Sequence, residues 1–138
     1  MLNPDKYDVH HWGAGSTGEF GIKDYQDQAR KTAVYKYPDY PLAALVEEVG
    51  EVMGKLAKYG RKNDLPLEMV MYCVSTPTSA LQRELRDAVS KEMGDIIWQW
   101  VNLCYEMDLN PAQVMADNID KLQGRQERGT LNGDGDER

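Results

Sequence analysis

Two acid pairs stand out in this 138-residue sequence, Glu48 with Glu51 and Glu92 with Asp95. Each is spaced i, i+3, which on a helix places both side chains on adjacent turns of one face. Carboxylates in such pairs hold hard divalent cations through oxygen, or they move protons. Their setting makes these acids informative. Leu45, Val49, Val52 and Leu56 repeat at helical spacing around the first pair, and Leu81, Leu85, Val89, Ile96, Trp100 and Leu103 around the second. At roughly 100° per residue, Glu48 falls about 40° outside the first apolar stripe and Glu51 about 100° outside it. Glu92 falls within the arc of the second stripe, and Asp95 lies on its flank, about 60° further round. An ionised carboxylate on a face destined for burial costs free energy unless it is paired or bound to a metal. Packing the two faces together gathers four like charges, which repel unless a cation neutralises them. Mg²⁺ suits such a set, because it takes hard oxygen ligands and keeps waters that a substrate phosphate can replace.

Other readings of the acids are available. A pair at this spacing is often a solvated face, with Glu47 and Glu48 balanced by Lys55 or Lys58. A carboxylate di-iron bundle requires Glu-x-x-His on facing helices. The two histidines, His10 and His11, are adjacent in the N-terminal segment with no third ligand nearby, so that option fails.

The elements that must position the acids are helices. Lys23 to Lys36 reads as a first helix, halted ahead of Pro38. A second starts near Pro41 and runs to about Tyr59, with Gly60 as its stop. Leu65 to Val74 forms a short helix or a loop, with Met69, Met71 and Tyr72 closing over the core. Thr76-Pro77-Thr78 breaks the chain. A third long helix covers about Ser79 to Met107. Asn110-Pro111 reads as an N-cap followed by proline at the first helical position, opening a last helix to about Arg128. No alternating strand pattern is present. The expectation is an all-α bundle of four to five helices. Residues 1–22 read as a flexible arm, 23–128 as one helical domain and 129–138 as a flexible tail.

The formal net charge of −7 disfavours nonspecific binding to nucleic acid or to an acidic membrane surface. A small anionic substrate remains compatible with it, since a bound metal inverts the local charge. No apolar run approaches the length of a membrane span and no signal pattern opens the chain. Cys73 and Cys104 lack metal-ligand spacing and suit two free thiols in a reducing, cytoplasmic setting. Lys121, Arg125 and Arg128 follow i, i+4, i+7 and form one basic stripe, suited to a phosphate or to solvent. Trp98, Trp100, Tyr37 and Tyr40 suit stacking on a base, or a place in the core.

Glu47-Glu48-Val49-Gly50-Glu51 followed by Glu92-Met93-Gly94-Asp95 resembles the EExxE…ExxD signature of the MazG-like, all-α nucleotide pyrophosphohydrolases. The similarity extends from about Tyr25 to Arg128 and includes Asn118-Ile119-Asp120-Lys121-Leu122 with Arg125 and Arg128. The resemblance implies a homodimer or homotetramer that hydrolyses a nucleoside triphosphate to monophosphate and pyrophosphate. It implies Glu48, Glu51, Glu92 and Asp95 as ligands of Mg²⁺, with Mn²⁺ as a substitute, and Glu47 outside the set. Glu48 or Glu51 would take the proton of the attacking water. Asn118, Lys121, Arg125, Arg128 and Lys55 would contact the substrate. The gap between the acid pairs is longer than in the most compact members, and the insert near Leu65 to Thr78 fills it. The alternatives are a related enzyme acting on dUTP or phosphoribosyl-ATP, and a non-enzymatic helical interaction module.

Overall fold

The computed structural model describes residues 21–130. His10 and His11, nearly all of the expected arm and most of the expected tail lie outside the described residues. Among the described residues the chain is all-α, with five helices and no strand: α1 (Ile22–Arg30), α2 (Tyr40–Asn63), α3 (Leu67–Ser75), α4 (Ala80–Glu106) and α5 (Pro111–Glu127). They group into two units. Residues Ala33–Met107 hold α2, α3 and α4, with α2 along α4 and α3 packed on both. The residues up to Thr32 and from Asp108 onward hold α1 and α5, which pack on each other.

Local chemistry accounts for most of the helix ends. Asp24 accepts from the Gly21 amide at 2.9 Å and closes the first turn of α1. That helix stops at Arg30, six residues short of the expected Lys36. The Thr32 hydroxyl takes the Ala29 carbonyl at 2.8 Å, and the β-branched Thr32 and Val34 favour leaving the helix. Ser79 caps α4 by accepting from the Gln82 amide at 3.2 Å, and Asn110 caps α5 by accepting from the Ala112 amide at 2.9 Å.

The second helix corrects the sequence reading at Gly60. The helix passes through this residue to Asn63, and Asp64 ends it in the left-handed region, with φ 50° and ψ 48°. Gly60 answers a packing need instead. A Cβ there would lie 2.9 Å from the Leu65 carbonyl oxygen and 3.3 Å from Val70 Cγ2, so the missing side chain admits the close return of the chain into α3.

The segment left open between helix and loop is helical, as α3, but its core-facing residues differ from those expected. Val70 and Cys73 are buried, whereas Met69, Met71 and Tyr72 are exposed. Val70, Cys73 and Val74 share a face at i, i+3, i+4, and the three residues expected over the core lie off it. The core of this unit is Leu56, Val70 and Leu85, flanked by Val52, Tyr59, Leu65, Val74 and Val89. Val49 and Leu81, placed in apolar stripes by spacing, are exposed. Arg86 on α4 donates to the Val74 and Ser75 carbonyls at 3.3 and 3.1 Å and satisfies two acceptors at the C-terminal end of α3. Cys73 and Cys104 are buried free thiols. No helix of the described residues is long and apolar enough to cross a membrane.

Candidate functional site

The register that joins Leu56 to Leu85 in the core also decides which acids meet. Moving from this core towards the N-terminal half of α2 and the middle of α4, the apolar lining gives way to carboxylates. Glu48, Glu92 and Asp95 each offer an oxygen, and the three oxygens lie within 4.8 Å of one another. Glu48 and Glu92 are half-buried, and Asp95 is exposed.

The donor set fits a hard divalent cation. Mg²⁺ binds oxygen at about 2.0–2.1 Å, so opposed ligands stand roughly 4.2 Å apart and neighbouring ones closer. Side-chain rotations that draw the three oxygens closer, neighbouring ligands to roughly 3 Å, would bring them into that range. Two acids come from one face of α4 and one from α2, which leaves positions free for water or a substrate oxygen. Burial pushes the Glu48 carboxyl above the usual glutamate range, and the nearby Asp95 carboxylate pushes it further. The Gln99 side chain opposes the shift by hydrogen bonding to the charged form, while Glu92 and Glu47 add smaller repulsions.

Glu51 lies outside this trio. Its side chain is 52% exposed and pairs with Lys55 at 3.0 Å. The same Lys55 ammonium reaches Glu92 at 2.5 Å. These contacts, that to Glu92 first, hold the Lys55 pKa above the ordinary lysine range. The four acids named from the sequence therefore form a trio plus one, with a lysine between the trio and the fourth. Glu47 is exposed.

Two residues near the site were not singled out from the sequence. Gln99 is 4% exposed, and its Oε1 has no hydrogen-bond partner. It lies one turn beyond Asp95, in the arc that made Glu92 conspicuous, so a search for any polar residue on the apolar face would have found it. The other is Tyr35. Its ring stacks on Tyr40 at 5.4 Å and meets Trp98 edge-on at 6.3 Å, and its hydroxyl donates to Glu106 at 2.5 Å. Trp98 stands three residues after Asp95, so this aromatic group borders the carboxylates. Among the other aromatic candidates, Trp100 is half-buried, and Tyr37 is exposed with the Lys36 ammonium 5.2 Å from its ring centroid.

In the other unit, Asn118 and Lys121 on α5 and Arg128 at its C-cap are exposed, whereas Arg125 is only 5% exposed. The basic stripe expected from spacing is thus interrupted at its centre.

The family model of the MazG nucleotide pyrophosphohydrolase domain matches residues 38–130. The chain is 30% identical over 123 residues to the Gene 37 protein of Mycobacterium phage L5, covering 83% of this chain and 96% of that protein. No solved structure matches the chain significantly.

Proposed function

The chain belongs to the MazG nucleotide pyrophosphohydrolase family, and from that premise we propose that it hydrolyses nucleoside triphosphates, ribo or deoxy, to the monophosphate and pyrophosphate. The observation that carries the reading is the convergence of Glu48, Glu92 and Asp95 at the α2–α4 seam. These three would hold Mg²⁺, with Mn²⁺ as a substitute. Bound there, the ion would supply charge neutralisation at the phosphates and a more acidic water.

The chain's own residues divide the remaining work. Glu48 is committed to the trio, which leaves Glu51 as the carboxylate suited to accept the proton of the attacking water. Gln99 favours ionised Glu48 and so keeps it ready as a ligand. Asn118 and Lys121 on α5, with Arg128 at its C-cap, are side chains suited to phosphate, and Arg125 of the same helix is buried. The Tyr35, Tyr40 and Trp98 rings offer a stacking surface for a base.

The proposal extends to a homodimer or homotetramer. Leu42, Val46, Val49 and Met53 are exposed and fall within about 60° of one another on α2. Met115, Ile119 and Leu122 form a similar exposed stripe on α5. Ordered apolar stripes of this kind favour burial against another surface. Light scattering on the purified chain measures the assembly directly, and a monomer at all concentrations would refute this part.

The deciding assay incubates the protein with each nucleoside triphosphate, with Mg²⁺ or with EDTA, and separates the products. Monophosphate plus pyrophosphate, released only with the metal, is the expected result. Free phosphate as the first product would overturn the assigned bond, and no metal-dependent release with any nucleotide would overturn the activity.

A further inference from the structure

Lys55 stands where the acids of α2 meet those of α4. Its ammonium touches Glu51 Oε2 and Glu92 Oε1 together, and its side chain is 28% exposed. Glu92 therefore serves two arrangements at once, as a member of the trio and as the partner of a fixed cation. By contrast, neither Glu48 nor Asp95 has an ion-pair partner among the described residues. The positive charge compensating this cluster is one-sided.

Resting on the reading that Glu48, Glu92 and Asp95 hold a divalent cation, we propose that Lys55 is an interlock: a tethered counter-ion that occupies Glu92 and Glu51 in the metal-free protein and yields Glu92 when a divalent cation enters. Two positive charges then compete for one carboxylate. An ion bound to Glu92 weakens the hold of that carboxylate on the ammonium and also repels the ammonium directly.

The structure gives the displaced side chain somewhere to go. Lys55 also lines a groove of about 380 Å³ between α2 and α4, together with Lys58, Tyr59, Lys62, Leu81 and Leu85. Glu84 also lines it, but neither Lys58 nor Lys62 has a carboxylate partner among the described residues. An ammonium swung towards this groove leaves Glu92 and has Glu84 as the acidic residue of its new surroundings.

Linkage makes the proposal measurable. If metal loosens Lys55, then Lys55 loosens metal by the same factor. The full-length chain is titrated with Mn²⁺ alone, and the free ion is read by electron paramagnetic resonance. Lys55→Met should bind Mn²⁺ about tenfold more tightly than the unaltered chain, a coupling within the usual range. Lys55→Arg should keep the original affinity, and so should Lys58→Met, which removes a neighbouring charge with no carboxylate partner. Lys55→Gln, with far-UV circular dichroism, replaces the methionine variant if that one fails to fold. Unchanged binding in the folded Lys55→Met variant would overturn the interlock. Weaker binding would overturn it too, by showing that the ammonium orients Glu92 for the metal. If no variant and no unaltered chain binds Mn²⁺, the metal reading itself falls and takes the interlock with it.

Discussion

The two halves of the α2–α4 seam use one helix pair for opposite ends. In one half, Leu56 and Leu85 meet under Val70 of α3, and water is excluded. In the other, Glu48, Glu92 and Asp95 crowd together, and burial raises the free energy of the charged Glu48. The first half gains stability from what it buries, while the second loses some in order to keep acids close. The comparison teaches that the apolar half supplies the rigidity the acidic half lacks. The acids repel each other and cannot set their own spacing, so the register fixed at Leu56 and Leu85 sets it for them.

Substitutions in the two halves should therefore separate activity from stability. The largest effect is expected at Glu92→Gln, which removes a ligand and a like charge together. Loss of even outer-shell partners of a metal ligand costs roughly 10–100-fold, so turnover should fall by at least about a hundredfold. Thermal stability without metal should hold or rise, because a repulsive charge has gone, although Lys55 loses one partner. Nucleotide turnover and a melting curve on the same sample test both halves of that statement. In the apolar half, Leu56→Ala should lower the free energy of unfolding by about 2–5 kcal/mol, read by urea titration. Its activity should suffer only as the register relaxes. A collapse of activity in a folded variant would mean that the two halves are not separable.

Gly60→Ala is expected to cost about 1–3 kcal/mol, because the new methyl meets the Leu65 carbonyl oxygen at 2.9 Å and backbone must shift. Equal stability to the unaltered chain would show that the α2–α3 return has slack. The smallest effect is a pH dependence carried by Glu48. Its folded-state pKa lies above its unfolded value. Its contribution to stability is thus fully present below about pH 4.3 and is lost as pH rises through the raised folded value. A divalent ion acts in the opposite sense, since it needs the ionised form. Mg²⁺ should therefore raise the melting temperature more at pH 7.5 than at pH 5. Gln99→Leu removes the group that favours ionised Glu48, so it should shift the onset of this Mg²⁺ effect to higher pH. An onset unmoved by that change would detach Gln99 from the site.

The all-α class, α4 with its start near Ser79, α5 with its Asn110 cap, and the acids worth watching were legible in the sequence. Each rests on local rules, either capping chemistry or position on a helical wheel. What escaped depends on contacts between elements. Gly60 has the residue type of a helix stop, and only the return of the chain at Leu65 reveals it as a point of close approach. Val49 fits the apolar stripe by spacing, yet the covered strip of α2 holds Leu45, Val52 and Leu56 and stops short of Val49. Met69 and Met71 are apolar enough for a core, but Val70 and Cys73 hold the inward face. The geometry that set Glu51 furthest from its stripe anticipated its place outside the trio. No local rule could foresee that Lys55 would join Glu51 to an acid on another helix.

Arg86 carries a consequence for how the molecule opens. Its two hydrogen bonds fasten the last turn of α3 to α4, while Val70 secures the middle of the same helix. In native-state hydrogen exchange, the α3 amides should then open as a cooperative unit with the turn that precedes α4, rather than fraying singly from the C-terminal end. With Arg86 shortened to alanine, the amides nearest Ser75 should exchange first and those around Val70 last. The helix would become a hinged flap whose free edge faces Thr76.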